Sequence, residues 1–479
     1  MKTIMLSPNV KKIIGRLNVI FFAIFLCFCF TESVSIIPIL GSKVSLSFFI
    51  SLIGIPLFFI SYFFYYQNTM NNKLLIMCSI LFFALSISSL GMSLILTPSY
   101  SGYFDTNPVM VWLEITAKYF YDFVCFFYVF CMFKYITMEK FIKGLKIYIL
   151  LMIGFTFFQF IVFVCNNNVL YSLYDAVNFL GIFQQSSLIR RLVNAHQSYR
   201  AYGFSGEPGH NCIFVSCIAI PLLSFEIVKK AKQKEQQNLL NIFCLVGVIV
   251  FGLLTRSPAV YIGMLINFLV FLVLFLKAKD VKKALKIAVS VSCALIVAIV
   301  FIVPYSREHV LSYFTKIVDF NNQSTVSHYS SVFNDFKVFA KFPVFGSGDG
   351  MQGYFYTDNI INTFFSNNVE VQSLMNGQRG LIEGGAGVPS IISGFGIYGI
   401  FIISIFIYKI YFHQFDIKNQ ELLAKIFIFM TSTILIIMLC VRSGLHRNYG
   451  MFLLFALHGY SCNVNNKKTL TASIYIITI

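Results

Sequence analysis

The chain has 479 residues, of which 58% are hydrophobic and only 11% are charged. Soluble domains carry about 25% charged residues, so this composition excludes an ordinary soluble enzyme. The net charge of +17 is spread over short loops between apolar runs. That distribution is typical of membrane-topology signals and not of a groove for nucleic acid. The composition therefore predicts an all-α polytopic membrane protein that forms a single integral membrane domain.

Apolar stretches near 20 residues recur along the chain and predict about 12 transmembrane helices. The basic start lacks a small-residue cleavage site, so the first apolar stretch is interpreted as a membrane helix and not as a signal peptide. All twelve cysteines lie in or beside apolar runs without a CxxC pair, which favours membrane-buried thiols over disulfides or a metal site. The helices are predicted near 13–31, 44–66, 74–97, 111–133, 144–165, 209–228, 239–255, 258–276, 284–304, 388–412, 422–441 and 448–462.

Lysine and arginine divide between the two sides of this twelve-helix arrangement. One set of alternate loops contains 23 of the 36 basic residues, and the positive-inside rule makes that set, with both termini, cytoplasmic. Of the nine arginines, only Arg16 falls on that side. The other eight are Arg190, Arg191, Arg200, Arg256, Arg307, Arg379, Arg442 and Arg447. Because a guanidinium binds phosphate or carboxylate through two parallel hydrogen bonds, this set predicts an anionic ligand at the outer face. Anchoring of helix ends at lipid headgroups is the alternative.

Two predicted outer loops are long, at 166–208 and 305–387. The second contains an apolar pattern at helical spacing, which predicts an amphipathic helix lying on the membrane surface or over a cavity. In that helix Val332, Phe333, Phe336 and Phe339 share a face, while Asp335, Lys337 and Lys341 face elsewhere. The helix is expected to stop at Pro343, before a glycine-rich turn at 346–350. This turn lacks the lysine and the strand–helix context of a nucleotide-binding loop.

The most chemically diverse stretch of the chain, 200–210, lies immediately before an apolar run. It carries Arg200, Gly203, Glu207, Pro208 and His210. Proline suits a first helical turn, and an acid at a helix N-terminus is favoured by the helix dipole. The stretch is therefore either a structural loop-to-helix junction or a site that combines an anion-binding group with a general base.

Further candidate site residues at the outer face lie in tight turns and at the end of the long loop. Arg256 lies between two apolar runs with almost no loop to spare, where a charge is costly unless it is paired or reaches the headgroups. Arg442 and Arg447 flank a similar short connection, and Arg379 and Glu383 lie four residues apart before the helix near 388–412.

Four motifs carry a resemblance to a known family. They are Arg200-x-x-Gly203-x-x-x-Glu207-Pro208, Leu254-Thr255-Arg256-Ser257, Phe342-Pro343-Val344-Phe345-Gly346-Ser347-Gly348 and Gly394-Phe395-Gly396-Ile397-Tyr398-Gly399. With these motifs and the predicted topology, the chain resembles the O-antigen polymerase family, which is related to the O-antigen ligases of bacterial surface polysaccharide assembly. Ligases typically carry a histidine motif shortly before the glycine-rich helix, and 384–389 contains no histidine, which favours the polymerase.

The resemblance implies a GT-C-like polymerase/ligase fold in the bacterial plasma (inner) membrane. It implies that undecaprenyl-pyrophosphate-linked oligosaccharide units are polymerised into O-antigen, as in lipopolysaccharide, or into capsule at the outer face. O-antigen ligase and lipid-linked oligosaccharide flippase are the alternative functions. The expected partners are the lipid-linked substrate, membrane lipids, a chain-length regulator and a flippase, without nucleic acid.

The site that the resemblance implies is a metal-independent glycosyltransferase centre without a cofactor, since no Asp-x-Asp pair or histidine cluster is present. Glu207 is the first choice of general base, with His210 and Glu383 as alternatives, and Gly203 and Pro208 shape the site. The groups expected to bind pyrophosphate are Arg191, Arg200, Arg256, Arg379, Arg442 and Arg447.

Overall fold

The computed structural model describes residues 13, 16, 17, 20, 52–56, 72–102, 105–132, 138–177, 189, 193, 199–204, 211–232, 239–277, 315, 319–377 and 387–409. Within these residues the secondary structure is helical, without a strand. Of the predicted helices near 13–31 and 44–66, positions 13, 16, 17, 20 and 52–56 are described, and all of them are helical. The predicted helices near 284–304, 422–441 and 448–462 lie outside the described residues.

Seven predicted membrane helices fall in the described part, and the structure has a helix at each of these positions. Before the long predicted loop, the helices are α1 (Asn72–Tyr100), α2 (Pro108–Met132), α3 (Met138–Cys165), the short α4 (Asn168–Val177), α5, α6 (Leu239–Leu254) and α7 (Pro258–Lys277). Helix α5 runs without interruption through Asn211–Ile213, a π-helical segment Phe214–Ala219 and Ile220–Lys232. Later helices are α8 (Gln323–Lys341), α9 (Tyr356–Ile360), α10 (Val369–Met375) and α11 (Gly387–Lys409), with 3-10 turns at Gln352–Phe355 and Phe364–Asn367.

Three helices in the described part are long and apolar enough to cross a membrane. These stretches are Ile80–Tyr100, Ile142–Cys165 and Gly387–Ile405. Large apolar side chains on each of them point away from the protein, such as Ile87, Phe157 and Phe401. Because lipid can cover such side chains, this arrangement fits a bilayer. The structure thus confirms a helical membrane protein, and the total of about 12 spans remains a prediction.

The described helices pack in two groups. In one, α1 packs against α2 and α11, and α8 packs against α11. In the other, α6 packs against α3, α5 and α7. Four cysteines in the described part form no disulfide: Cys212, Cys217 and Cys244 are buried, and Cys165 is exposed.

A proline, Pro221, lies two residues after the π-helical segment of α5. Pro221 has no N–H group, so the carbonyl of Ser216, five residues earlier, loses the donor that a π-helical bond would use. The Asn267 side chain on α7 supplies the missing donor, because its Nδ2 lies 2.6 Å from that carbonyl oxygen and 2.8 Å from the carbonyl of Gly263. Asn267 is itself buried. A polar side chain of α7 therefore makes the irregular turn of α5 compatible with a buried position.

We expect Asn267→Leu to destabilise the protein by about 1–3 kcal/mol, because a buried carbonyl then lacks its donor. The measurement is the thermal unfolding midpoint in detergent or nanodiscs. Leu265→Ala, on an exposed position of the same helix, is the control and should change the midpoint little. Equal midpoints for Asn267→Leu and the wild type would contradict this role for Asn267.

Helix α8 is the predicted amphipathic helix, but part of its predicted orientation is wrong. Its N-terminus is capped by Asn322, and it ends at Lys341, two residues before Pro343. Asp335 was expected to face away from the apolar side, yet it is 1% exposed, while Phe336 is 52% exposed. The reason is a polar partner on a neighbouring helix, since Ser393 Oγ donates to Asp335 Oδ1 at 3.1 Å. Helical spacing gives the faces of a helix but not the chemistry of the surface that covers each face.

Candidate functional site

Two predicted motifs meet at the turn between α6 and α7. The Ala201 N–H donates to the Leu254 carbonyl at 2.8 Å, and Arg200 Nε donates to the Thr255 carbonyl at 3.3 Å. Because Arg256 follows Thr255 directly, Arg200 and Arg256 belong to one structural unit, although they lie far apart in the sequence. We call residues 199–201 and 254–257 the arginine turn.

The backbone of Arg256 is in the left-handed region, with a φ of 50°. Its N–H donates to the Leu253 carbonyl at 3.3 Å, which closes the turn. A non-glycine residue in this conformation costs about 1–2 kcal/mol. Glycine would relieve this strain, so the conformation by itself gives no reason for an arginine at this position.

Most guanidinium donors of Arg200 and Arg256 have no hydrogen-bond partner among the described residues. Arg200 donates only its Nε, out of five guanidinium N–H groups. Within the described part of the chain, no carboxylate lies within 4.0 Å of either Arg200 or Arg256. Both residues are half-buried. Favourable interaction with the C-terminus of α6 explains one bond from Arg200, and the remaining guanidinium donors, which no described residue occupies, can bind an anion.

Gly203 has a packing role next to this turn. Its φ is 60°, and a Cβ at this position would lie 2.9 Å from the ring of Phe251. The buried Gln159 amide bonds both backbone groups of Gly203, with Oε1 accepting from its N–H at 3.2 Å and Nε2 donating to its carbonyl at 3.1 Å. The space beside Gly203 is thus filled by protein, so this glycine shapes the site without itself approaching a ligand.

The predicted acid–base candidates Glu207, His210 and Glu383 lie outside the described residues, as does Pro208. The same holds for four of the predicted pyrophosphate-binding residues, Arg191, Arg379, Arg442 and Arg447. The described residues on either side of 205–210 are hydrogen-bonded to each other, since Asn211 Nδ2 donates to the Tyr202 carbonyl at 2.9 Å. Burial raises the pKa of the neighbouring Tyr199 phenol, so Tyr199 is a neutral donor, to the Thr156 carbonyl, at physiological pH.

Lysine contacts mark the opposite end of the same helix group. Lys146 Nζ donates to Asn241 Oδ1 at 2.8 Å near the start of α6, and Lys230 lies 3.9 Å from Glu226 near the end of α5. Asn241 and Thr255 are separated by about 21 Å along α6, at 1.5 Å per residue. In the described part, the lysine contacts therefore lie at one end of this helix group and the arginine turn lies at the other end. This arrangement matches the predicted separation of lysine from arginine.

The other two predicted motifs also meet, and their backbones exchange hydrogen bonds. Helix α11 is interrupted at Gly396, whose φ is 61° and ψ −159°. In an unbroken helix the N–H groups of residues 397 and 398 would donate to the carbonyls of 393 and 394. Instead, those carbonyls accept from residues 347 and 348 at 2.9 Å each, and the released N–H groups donate to the carbonyls of 343 and 344 at 2.9 and 3.0 Å. The loop thus satisfies these four groups, which the break leaves without their helical partners.

Glycines make this exchange possible. A Cβ at Gly346 would overlap the backbone of Gly394, and one at Gly396 would lie 2.5 Å from the Val344 carbonyl oxygen. The glycine-rich turn at 346–350 therefore serves as an interface between α8 and α11. The N–H groups of residues 346–349 all donate within the protein, so they are not available to hold a phosphate.

Sequence reasoning missed a line of buried polar side chains beside this interface. We call it the polar seam, and it consists of Asp335, Asp349, Gln352, Ser390 and Ser393, all less than 10% exposed. Tyr119 OH donates to Asp349 Oδ2, and Gln352 Nε2 donates to the Ser390 carbonyl at 3.0 Å. Gln352 Oε1 and Ser390 Oγ have no hydrogen-bond partner among the described residues. The signal in the sequence that could have indicated the polar seam is Asp349, an acid that lies between two glycines. Glycines allow close packing, which brings this acid against neighbouring helices.

Comparison with known proteins adds no relative, since no protein-family model, curated protein or solved structure matches the chain. The class that the fold defines is an all-α membrane protein.

Proposed function

We propose that this protein polymerises lipid-pyrophosphate-linked oligosaccharide units into a surface polysaccharide, O-antigen or capsule, at the outer face of the bacterial plasma membrane. The observation that supports this most is the arginine turn. It joins Arg200 and Arg256, which come from two motifs of the polymerase pattern, and it leaves most of their donors without a partner in the described residues. A diphosphate leaving group needs such forked cationic donors.

The proposed reaction is glycosyl transfer from an undecaprenyl-pyrophosphate donor. The hydroxyl oxygen of the acceptor sugar forms a bond to the anomeric carbon of the donor chain. The bond from that carbon to the pyrophosphate oxygen breaks, and the pyrophosphate leaves with the electron pair. Arg200 and Arg256 stabilise the negative charge that develops on the leaving group.

The proton of the acceptor hydroxyl goes to a general base. Glu207 is the first choice, and His210 and Glu383 are the alternatives, because they are predicted at the same outer side as the arginine turn. The rest of the negative charge on the pyrophosphate is bound by Arg191, Arg379, Arg442 and Arg447. Helices with lipid-facing side chains suit a substrate whose tail stays in the bilayer.

The test of the proposed function is surface polysaccharide from a strain in which the gene is deleted, separated on a gel. A ladder reduced to a single repeat unit on the lipid core supports the polymerase. Complete loss of attached polysaccharide would instead indicate the ligase. Accumulation of lipid-linked units at the cytoplasmic face would indicate the flippase. An unchanged ladder would reject all three.

We expect Glu207→Gln to abolish polymer formation at normal protein abundance, because the amide cannot accept the proton. The measurement is a purified assay with lipid-linked repeat units, with and without a chelator, and the chelator should change nothing. Asp358→Asn, in the first turn of α9, is the matched control and should polymerise normally. Normal polymer from Glu207→Gln would show that Glu207 only complements the helix dipole, an effect of about 0.3–1 kcal/mol.

A further inference from the structure

The loop that follows α8 makes contact far along two helices that are suited to cross the membrane. The Val344 carbonyl accepts from Tyr398 N–H at 3.0 Å, and Tyr398 is eleven residues from the start of α11 at Gly387. The Asp349 N–H donates to Ser89 Oγ at 3.2 Å, and Ser89 is eleven residues from the end of α1 at Tyr100. Two separate helices therefore give the same depth for the loop.

This depth is about 16 Å along the axis of α1, at 1.5 Å per residue, and of similar order along α11, which is broken at Gly396. The polar headgroup layer on one side of a bilayer accounts for about 5–8 Å, and the hydrocarbon core is about 30 Å thick. With Ile80–Tyr100 and Gly387–Ile405 as membrane spans, the loop lies well inside the hydrocarbon layer and not at its surface.

We propose that residues 342–350 form a re-entrant membrane segment, and that Val344 and Phe345 contact lipid acyl chains inside the bilayer. The side chains of these two residues are 55% and 52% exposed. The ring of Phe345 packs on Tyr398 at 5.5 Å, next to Ile397 and Phe401, which are 57% and 64% exposed on α11. The exposed surface of the segment therefore continues the lipid-facing surface of a membrane helix.

Irregular backbone inside a bilayer requires internal hydrogen-bond partners. The segment meets this requirement through α11, which exchanges four backbone bonds with it, and through Ser89. The contacts of Lys341, one residue before the segment, also agree with a segment inside the bilayer. Its Nζ lies 4.7 Å from the ring centre of Phe355, and Phe355 packs on Tyr100 at the end of α1. The charged end of this lysine thus reaches back towards the membrane surface.

The consequence is an acid inside the membrane. The segment carries Asp349 to a depth at which its carboxylate accepts from Tyr119 and is 2% exposed. The predicted soluble loop 305–387 is therefore interrupted by a membrane-inserted portion, which fixes α8 to α11.

Tryptophan fluorescence measures the depth of the segment directly, because the chain contains one tryptophan, Trp112. In a Trp112→Phe background, Phe345→Trp places the probe in the segment and Phe364→Trp serves as the control. Phe364 is 63% exposed and contacts Phe320, next to the opposite end of α8. The proteins are placed in nanodiscs containing lipids brominated along the acyl chain, and iodide is the aqueous quencher.

We expect Phe345→Trp to be quenched by the brominated lipid and protected from iodide, and Phe364→Trp to show the reverse. Val344→Trp repeats the measurement if Phe345→Trp does not yield a monodisperse protein. Quenching by iodide without quenching by brominated lipid at both 344 and 345 would overturn the proposal. The readout does not use enzymatic activity, so it is independent of the outcome for the proposed polymerase.

Discussion

Replacing Arg256 by glycine should shorten the polymer to its shortest bands while leaving the protein folded and abundant. The φ of 50° at this position is strained for arginine and relaxed for glycine. We therefore expect unfolding stability to change by no more than about 1 kcal/mol. Removal of one preorganised donor at a developing charge lowers a rate by roughly 10²–10³-fold, which would reduce the polysaccharide ladder to its shortest bands.

Lysine variants separate anion binding from membrane anchoring. Arg200→Lys keeps the positive charge and can still bond a carbonyl at the end of α6, but it loses the guanidinium fork. We expect it to retain stability and to lose polymer, as should Arg256→Lys. The measurements are thermal unfolding in nanodiscs and the purified polymerisation assay. Full polymer length from both lysine variants at normal abundance would assign these residues to anchoring.

Replacing Gly346 by alanine should be the most destabilising single-methyl change in the described part of the chain. A Cβ there would overlap the backbone of Gly394, which cannot move without breaking the bonds at 393 and 394. The φ of 71° adds strain for any side chain. We expect a loss of about 3–5 kcal/mol from overpacking and backbone strain together, measured as a lower unfolding midpoint or as loss of folded protein.

The matched control for this prediction is Gly154→Ala. Gly154 is a glycine inside α3 with no atom within 4 Å of the added Cβ. Because alanine is the better helix former, this variant should gain up to about 1 kcal/mol. Similar midpoints for Gly346→Ala and Gly154→Ala would mean that the contact between the glycine-rich turn and α11 does not hold α8 in place.

The glycine-rich turn also shows why a motif needs its surroundings. From sequence, 346–350 was a weak phosphate-loop candidate, because glycines and free N–H groups are what an anion needs. In the structure the N–H groups of residues 346–349 donate to Phe342, to α11 and to α1. An anion would have to break existing bonds at this position, whereas most guanidinium donors of Arg200 and Arg256 have no partner within the described residues.

The sequence by itself determined the helices and the membrane class. Apolar runs near membrane length are a local property, and a helix is found at each of the seven predicted positions in the described part, with ends within six residues of the prediction. Breaks at Pro343 and at the Arg256 turn were also predicted, because proline and the near absence of a loop are visible in the chain.

Only the tertiary structure decided which parts meet. The contact between Arg200 and Thr255 spans 55 residues, and the contact between Ser347 and Ser393 spans 46. Contacts at these separations follow no helical or strand repeat, so a single sequence does not predict them. The burial of Asp335 likewise depends on Ser393, a partner on another helix. Local spacing determines which residues share a helix face, but the polar groups of distant helices determine whether an acid can be buried on that face, because a buried carboxylate needs donors.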